Sequence, residues 1–333
     1  MTILKTPEAF FRHGVYTLTP MSQRVVSTVV MIFLLLPIVG SGQHSTPIPR
    51  LRDGRPDLQG TWDLRTATPL ERRKELAGKE FFTPAEAADF ERRERERIAG
   101  AIAVHAPGWL DYGAKLLPDL RTSLIIDPAD GRIPSQTAAA QGRAAARAAT
   151  RRANGLDGPE AFSAGERCLV FGAGPPLLPG PYNNNVQIVQ TPDALMIYSE
   201  MIHDARIVPL DGRPRRPPAM RSWLGESRGS WDGDTLVVET TNFMTEASFR
   251  GNSEVAFRGW DEHLRVTERF TRTGEGTLGY EFTVDNPAAF TRPWTGRLQM
   301  SRSQEMVYEY ACHEGNYGLV NMLRAARYEE HNQ

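Results

Sequence analysis

Short alternating runs of apolar and polar residues fill the chain after residue 180 and predict β-strands. The runs Val186–Val189, Ala194–Tyr198 and Ala205–Leu210 are rich in Val and Ile, and Pro, Asp and Gly residues separate them. Further strands are predicted at Ser227–Trp231, Asp234–Thr241, Leu264–Thr271, Thr277–Val284, Leu298–Met300 and Met306–Tyr310. Short strands joined by turn signals indicate a mainly β protein with an antiparallel barrel-like or sandwich core.

Glu268 interrupts the apolar face of one predicted strand. Alternation along Leu264–Thr271 places it with Val266 and Phe270 on the side that faces the core. A buried carboxylate needs a partner or a raised pKa. Arg292 and Arg324 are the candidate partners.

The region before residue 166 contains two predicted helices. Thr83 and Glu86 have the spacing of a capping box, and Thr137–Ala153 consists mainly of Ala and Arg. The predicted helices have few large apolar side chains. We therefore expect residues 57–165 to form a partly helical wrap around an antiparallel β core at 166–333, within one structural domain.

The N-terminal 41 residues have the pattern of an export signal. Arg24 precedes Val25–Gly40, an uncharged apolar run, and small residues follow it. The run is shorter than the roughly 20 residues that a spanning helix needs. We expect cleavage after Ser41, no membrane span after cleavage and an extended leader at 42–56. Met21 is a possible true start, and a membrane anchor is the alternative to a cleaved signal.

Composition excludes several functional classes. The chain has 333 residues, 40% hydrophobic and 24% charged, with a formal net charge of −1. This balance, without a basic stripe, argues against nucleic-acid binding. The two cysteines, Cys168 and Cys312, predict a disulfide in an oxidising compartment, and two buried thiols are the alternative. Their number and spacing predict no metal site, and no cofactor or oligomeric state is indicated.

The first candidate for chemistry is the segment Glu200–Arg206, which contains His203 between two acids and a guanidinium. Adjacent strand residues point to opposite faces, so His203 and Asp204 cannot enter one pocket together. We expect Glu200 and Arg206 to contact a ligand and His203 to act as an acid–base group. The alternative is a histidine and a salt bridge at a sheet rim.

The second candidate is the segment Tyr308–Gly318, where His313 and Glu314 form a possible base and its orienting group. The predicted disulfide would bring it toward the asparagine run at 183–185, and we expect His203 and His313 to share one cavity. The expected ligand-binding residues are aromatic or amide side chains: Tyr182, Asn183, Asn184, Asn185, Trp223, Asn316 and Tyr317. The alternative is a turn pinned by a disulfide.

The leading functional prediction is an exported protein that binds a small molecule in an aromatic-lined pocket. One alternative is an acid–base enzyme, a lyase, isomerase or hydrolase, that uses His203, His313 and Glu314. Another is a cell-envelope interaction protein without a pocket. The sequence does not name a ligand, and it does not decide whether the protein is an enzyme.

Several longer motifs resemble a large family of uncharacterised exported bacterial proteins. They include YNNNVQIVQTPD from Tyr182, EMIHDARIVPLDGRP from Glu200, WDGDTLVVETTNF from Trp231 and YEYACHEGNYG from Tyr308. The resemblance covers most of Leu51–Glu330 and implies export and a β-rich fold, without any catalytic role. Separately, the Gly-x-Trp at Gly60–Trp62 is similar to the first strand of lipocalin-like barrels, where the indole closes one end of the barrel.

Overall fold

The computed structural model describes residues 48–102, 110, 113–154, 156, 158, 162–172, 174–244 and 261–332. The predicted signal and the first part of the leader lie outside these residues. Ten strands form one sheet: β1 Gly60–Asp63, β2 Ile125–Asp127, β3 Asn185–Gln190, β4 Ala194–Ser199, β5 Ala205–Pro209, β6 Glu226–Asp232, β7 Thr235–Thr241, β8 Arg265–Gly274, β9 Thr277–Asp285 and β10 Trp294–Arg302. The helices of the described part are α1 Pro84–Ile102, α2 Ala138–Asn154 and α3 Tyr317–His331. None of them combines the length and apolar composition needed to cross a membrane.

The order of the strands produces a nearly closed barrel. Nine strands follow one another as β5-β4-β3-β1-β10-β9-β8-β7-β6, and β2 pairs with β10 outside this series. Every neighbouring pair is antiparallel. Because nine strands alternate in direction, the first and the last, β5 and β6, run the same way. Their Cα atoms approach within 8 Å, but no strand ladder joins them in the described part of the chain. We call this junction the seam.

Side chains at alternate positions of the strands, most of them apolar, fill the barrel interior, as the sequence predicts. Leu278, Tyr280, Phe282 and Val284 of β9 are all buried, and β8 and β10 alternate in the same way. The predicted turn between β6 and β7 is also present, with Gly233 at φ 58°. A left-handed φ of this kind is accessible to glycine without a steric penalty. The mainly β, antiparallel barrel-like prediction is confirmed.

The region before residue 166 contributes strands as well as helices. β1 lies between β3 and β10, and its Trp62 is fully buried, with the indole Nε1 donating to the Leu58 carbonyl at 2.9 Å. The predicted capping box of α1 is present, since the Thr83 backbone N–H donates to Glu86 at 2.8 Å. Local sequence thus sets the start of α1, while pairing with distant strands recruits β1 into the barrel.

The C-terminal segment differs from the prediction. Residues 306–310 form no strand, so the predicted strand Met306–Tyr310 is wrong. The backbone N–H of Tyr308 instead donates to the Glu200 carboxylate at 3.0 Å, which fixes this segment through a side chain. The predicted disulfide is confirmed: Cys168 and Cys312 are bonded, with Cα atoms 5.7 Å apart. The helix α3 that follows has no buried residue.

Candidate functional site

A cavity of about 650 Å³ opens at the seam, where β5 and β6 separate. Its lining comes from β5 and the residue before it, from β6, from the loop that joins the two strands, and from Leu169. The lining residues are Leu169, Asp204–Ile207, Pro209, Arg213, Pro214, Arg216 and Ser222–Arg228. The volume lies in the range of small-molecule sites, which combine an apolar wall with a few polar groups.

The seam is closed by side-chain packing at one end and open at the other. A Cβ added to Gly229 would lie 2.5 Å from Leu210 Cδ2 and 3.0 Å from Val208 Cγ1. The two strands can therefore pack closely at Gly229 because this residue has no side chain. The cavity lies toward the other end, near Asp204 and Glu226, where polar side chains stand between the strands.

Arginines fasten the loop that covers the cavity. The Arg228 guanidinium donates to the backbone carbonyls of Arg213 at 3.3 Å and Pro214 at 2.9 Å. Arg215 donates from Nη1 to the Glu226 carbonyl at 3.0 Å. These bonds give backbone carbonyls of a proline-containing loop the donors that a strand ladder would otherwise supply. The loop therefore holds one defined path over the cavity.

Glu226 is the buried acceptor at the centre of this loop. Its side chain is almost fully buried, and Oε1 accepts the backbone N–H of Arg216 at 2.8 Å. The same oxygen lies 2.5 Å from Arg228 Nη2, and Oε2 accepts from Asn242 at 3.1 Å. Charged and neutral donors thus compensate its burial.

Arg206 connects the seam to the opposite side of the barrel. Its guanidinium pairs with both carboxylate oxygens of Glu268 on β8, and Nη2 donates at 2.9 Å. Tyr280 donates its hydroxyl to Glu268 at 2.8 Å and accepts the Leu177 N–H at 2.8 Å. Glu268 is buried as predicted, but its partner is Arg206, so the two candidates Arg292 and Arg324 are wrong. Arg292 pairs instead with Asp127.

Burial and the Glu268 carboxylate change the pKa values of Tyr280 and Arg206. Burial raises the pKa of the Tyr280 hydroxyl well above its usual range, and the neighbouring Glu268 carboxylate raises this pKa further. Burial lowers the pKa of Arg206, but the field and hydrogen bonds of Glu268 outweigh burial and raise it overall. Tyr280 therefore stays a neutral hydroxyl donor, and Arg206 and Glu268 form a buried ion pair.

Asp204 lies at the cavity end of β5 and follows a strained turn. Ile202 and His203 have φ values of 63° and 48°, which are unusual for residues other than glycine. The buried Oδ2 atom of Asp204 has no hydrogen-bond partner among the described residues. Burial raises the pKa of this carboxyl, and the charge of His203 opposes the effect. The turn thus presents an uncompensated acceptor to the cavity.

Of the residues predicted to contact a ligand, the structure places Arg206 and Trp223 in the cavity lining. The asparagines have structural contacts. Asn184 exchanges hydrogen bonds with the backbone of Gly180 at 2.7 and 3.1 Å. Asn185 donates to Glu200 at 3.1 Å. Asn183 occupies a left-handed turn position with φ 51°.

Tyr182 and His203 meet the C-terminal segment at a second place. The rings of Tyr182 and Tyr310 stack with centroids 6.3 Å apart. His203 Nδ1 donates to the Tyr310 carbonyl at 2.7 Å. Burial raises the pKa of the Tyr310 hydroxyl, and its hydrogen bond to Tyr182 raises it further. These contacts, together with the Glu200 carboxylate, attach residues 308–310 to the barrel.

The remaining predicted catalytic and binding residues follow the disulfide. His313, Glu314 and Tyr317 are exposed, and the Tyr317 side chain is 74% exposed. Asn316 caps α3 by accepting the Leu319 N–H at 3.3 Å and donates to the Glu166 carbonyl at 2.8 Å. Neither His203 nor His313 lines the seam cavity. A ligand shared by the two histidines stays a prediction.

The charged residues at the seam were not among the residues predicted from the sequence. Arg213, Arg216, Glu226 and Arg228 line the cavity, but none was singled out. The sequence feature that could have indicated Arg213 and Arg216 is the basic, proline-rich stretch RPRRPP, which starts at Arg213 directly after an Asp-Gly turn. A basic loop next to a predicted strand edge has too many acidic partners along the chain for its role to be assigned from sequence alone.

Neither a metal-binding cluster in the described residues nor a similarity to a known protein indicates a function for this site. Within the described ranges, no group of three or more His, Cys, Asp or Glu side chains is arranged to hold a metal ion. The chain matches no family model, no curated protein and no solved structure. The function must therefore be argued from the seam itself.

Proposed function

We propose that this is an exported protein that binds a small molecule in the seam cavity. The observation that carries the proposal is the cavity of about 650 Å³ at the junction of two strands that share no ladder. Trp223 and Leu224 supply apolar surface there, and arginines supply polar contacts. Concave, mostly apolar sites with a few placed polar groups are typical of ligand pockets.

The export part of the proposal has separate support. A disulfide joins residues 144 positions apart in the chain, and such bonds persist in oxidising compartments. The predicted signal and the resemblance to exported bacterial proteins agree with this location. Intact mass of protein recovered from a Gram-negative host should give a start near Gly42. Protein that keeps residues 25–40 and stays in the membrane would contradict cleavage.

Binding is favoured over acid–base catalysis because the cavity lining does not include the predicted catalytic groups. His203, His313 and Glu314 are absent from it, and the cavity carboxylates are Asp204 and Glu226. Glu226 is held by three donors, which leaves it little freedom to transfer protons. The enzyme alternative therefore needs a second site.

The neutral fluorescent probe N-phenyl-1-naphthylamine tests the proposal. It should bind the full-length processed protein with enhanced emission, and the variant Trp223→Ala should weaken binding at least several-fold by removing apolar contact area. Trp231→Ala is the matched control, because Trp231 lies on the adjoining strand β6, packs on the core as Trp223 does and is not part of the cavity lining.

The proposal would be overturned if the wild-type protein did not bind the probe. It would also be overturned if the affinity for the probe fell by the same factor in both tryptophan variants. Circular dichroism of each variant establishes that the β fold is retained. Native mass spectrometry of freshly purified protein provides a second measurement, since a bound molecule adds mass that Trp223→Ala should lose and Trp231→Ala should keep.

A further inference from the structure

The seam cavity carries more positive than negative side chains, and most of the positive charge is already paired. Arg206 pairs with the buried Glu268, Arg213 lies 2.5 Å from Asp211, and Arg228 lies 2.5 Å from Glu226. Each of these guanidiniums has a carboxylate partner at hydrogen-bond distance. They hold the strand and the loop in place and leave little charge for a ligand.

Arg216 is different from the other three. Its nearest carboxylate contact in the described part of the chain is Glu226 Oε1 at 3.8 Å, beyond hydrogen-bond distance. That oxygen is already occupied by the Arg228 guanidinium and by the backbone N–H of Arg216 itself. The Arg216 side chain is 46% exposed and lines the cavity. Its guanidinium therefore keeps donors for a partner that is not part of the described chain.

The cavity around Arg216 combines apolar side chains with one unpaired acidic group. Trp223 and Leu224 lie on the loop, and Leu169 and Ile207 complete the apolar lining. Asp204 is the cavity carboxylate without a cationic partner at salt-bridge distance in the described residues. An anionic group would be repelled near Asp204 and attracted near Arg216. The anionic group of a ligand would therefore pair with Arg216 and not with Asp204.

We propose that the ligand is an organic acid whose anionic group pairs with the Arg216 guanidinium and whose apolar body lies against Trp223. This inference rests on the proposed function and specifies its ligand class. A planar guanidinium can bind a carboxylate or a sulfonate through two parallel N–H donors, and a charge-assisted bond of this kind is stronger than a neutral one. A neutral molecule of the same shape would leave these donors unused.

Two probes with the same aromatic body distinguish binding of the anionic group from binding of the apolar body. 8-Anilinonaphthalene-1-sulfonate carries an anionic group, and N-phenyl-1-naphthylamine lacks it. In the full-length processed protein, Arg216→Gln should weaken binding of the sulfonate about threefold to tenfold, because a half-exposed guanidinium contributes less than a buried one. The same variant should change binding of the neutral probe less than twofold.

The matched control makes the same substitution at an arginine of the same loop that does not line the cavity. Arg221 is exposed and is not part of the lining, so Arg221→Gln makes the same change in net charge outside the cavity. This variant should keep the affinity for both probes within about twofold, since no guanidinium of the cavity is lost. Raising the salt concentration should reduce the sulfonate affinity of the wild type and have little effect on Arg216→Gln.

The outcomes distinguish this inference from the proposed function. If the wild type binds neither probe, the seam is not a ligand site and the proposed function fails. If it binds both probes and Arg216→Gln changes neither affinity, or changes both equally, the acid-recognition inference fails while the binding function stands. An equal loss of sulfonate binding in Arg221→Gln would also overturn the role of Arg216, because it would show a general effect of net charge or of the loop.

Discussion

The closed wall of the barrel and its seam are built from similar strands but are stabilised in different ways. In the wall, β8, β9 and β10 pair over their whole length, and their inward side chains are apolar apart from Glu268 and Arg272. At the seam, β5 and β6 have no ladder, and charged side chains and an arginine-fastened loop stand between them. In the wall, backbone N–H and C=O groups are satisfied by hydrogen bonds between strands. At the seam, side chains supply part of these hydrogen bonds.

This difference shows where a β-barrel can acquire a site. Ladder bonds and interdigitated side chains leave no space in a paired wall. Two edge strands of the same direction are joined here by a loop that follows β5, and that loop brings its own polar groups to the edge. A site formed at such a junction can vary its loop without disturbing the wall.

The largest effect is expected from breaking the connection between the two regions. Glu268→Gln removes the charge that compensates Arg206, and an unpaired buried guanidinium costs about 3–5 kcal/mol. Guanidinium chloride unfolding should show this loss of free energy of unfolding. Glu281→Gln is the control on the same wall, because its pair with Arg297 is exposed and should be worth less than about 1 kcal/mol.

The double variant Arg206→Met with Glu268→Leu sharpens this prediction. Removing both charges should recover most of the lost stability, because neither charge is left without a partner. A loss below about 1 kcal/mol for Glu268→Gln would show that the Arg206–Glu268 pair does not connect the seam to the wall.

The second prediction tests how tightly the wall is packed. An added Cβ at Gly296 of β10 would overlap the ring of Phe282, which is fully buried and also contacts Trp294 at 5.7 Å between ring centroids. Because the ring cannot move without disturbing its neighbours, Gly296→Ala should cost about 1–3 kcal/mol. Thermal unfolding measures the loss, and an unchanged midpoint would mean that the wall is loosely packed.

The third prediction makes the same substitution at the seam. Gly229→Ala introduces a Cβ that meets the end of Leu210 and one methyl of Val208. Leu210 is only partly buried, so its side chain can move and the cost should stay below about 1 kcal/mol. Because Gly229 lies at the closed end of the seam and does not line the cavity, we expect the variant to keep its affinity for N-phenyl-1-naphthylamine. A loss equal to that of Gly296→Ala would remove the distinction between wall and seam.

The smallest effect on stability is expected for Asp204→Asn. This substitution should stabilise the protein, whereas the substitutions above should destabilise it. Burial raises the pKa of the Asp204 carboxyl above its value of 3.8, so the native state holds the proton more tightly than the unfolded state. Stability should be fully present below that value and decrease as the pH rises through the raised pKa. Asp204→Asn should therefore increase stability at neutral pH and remove this decrease.

Unfolding at several pH values between 3 and 8 checks the prediction for Asp204. Asp211→Asn is the control, because Arg213 lowers the pKa of Asp211 to about 2 and the carboxylate form is favoured there. This substitution should not stabilise the protein. A destabilised Asp204→Asn would show that the Asp204 carboxylate has a favourable native contact.

Much of the local structure could be predicted from the sequence because its causes are local. Alternation placed the strands of the second half, Asp232-Gly233 placed a hairpin, and Thr83 and Glu86 placed the start of α1. The pairing of Cys168 with Cys312 followed from there being no other cysteine. The short run Met306–Tyr310 alternates like a strand but forms none, because it has no neighbouring strand to pair with.

The site depended on contacts that no local pattern records. Of the predicted ligand residues, Arg206 and Trp223 line the cavity, while Glu200, Asn184 and Asn185 use their polar groups to hold the chain. A buried amide or carboxylate has the same sequence signal whether it binds a ligand or a backbone. The partner decides between the two, and the partner is set by the fold.

Apart from Met306–Tyr310, the sequence by itself determined which segments of the second half become strands, which face of each is apolar, where α1 begins and which cysteines pair. The tertiary structure alone decided that nine strands alternate around the barrel, that β5 and β6 meet in the same direction and that Arg206 finds Glu268. The physical reason is that alternation and capping depend on residues a few positions apart. The seam depends instead on the number and order of strands in the nearly closed sheet, to which β1 and β2 of the N-terminal region also contribute.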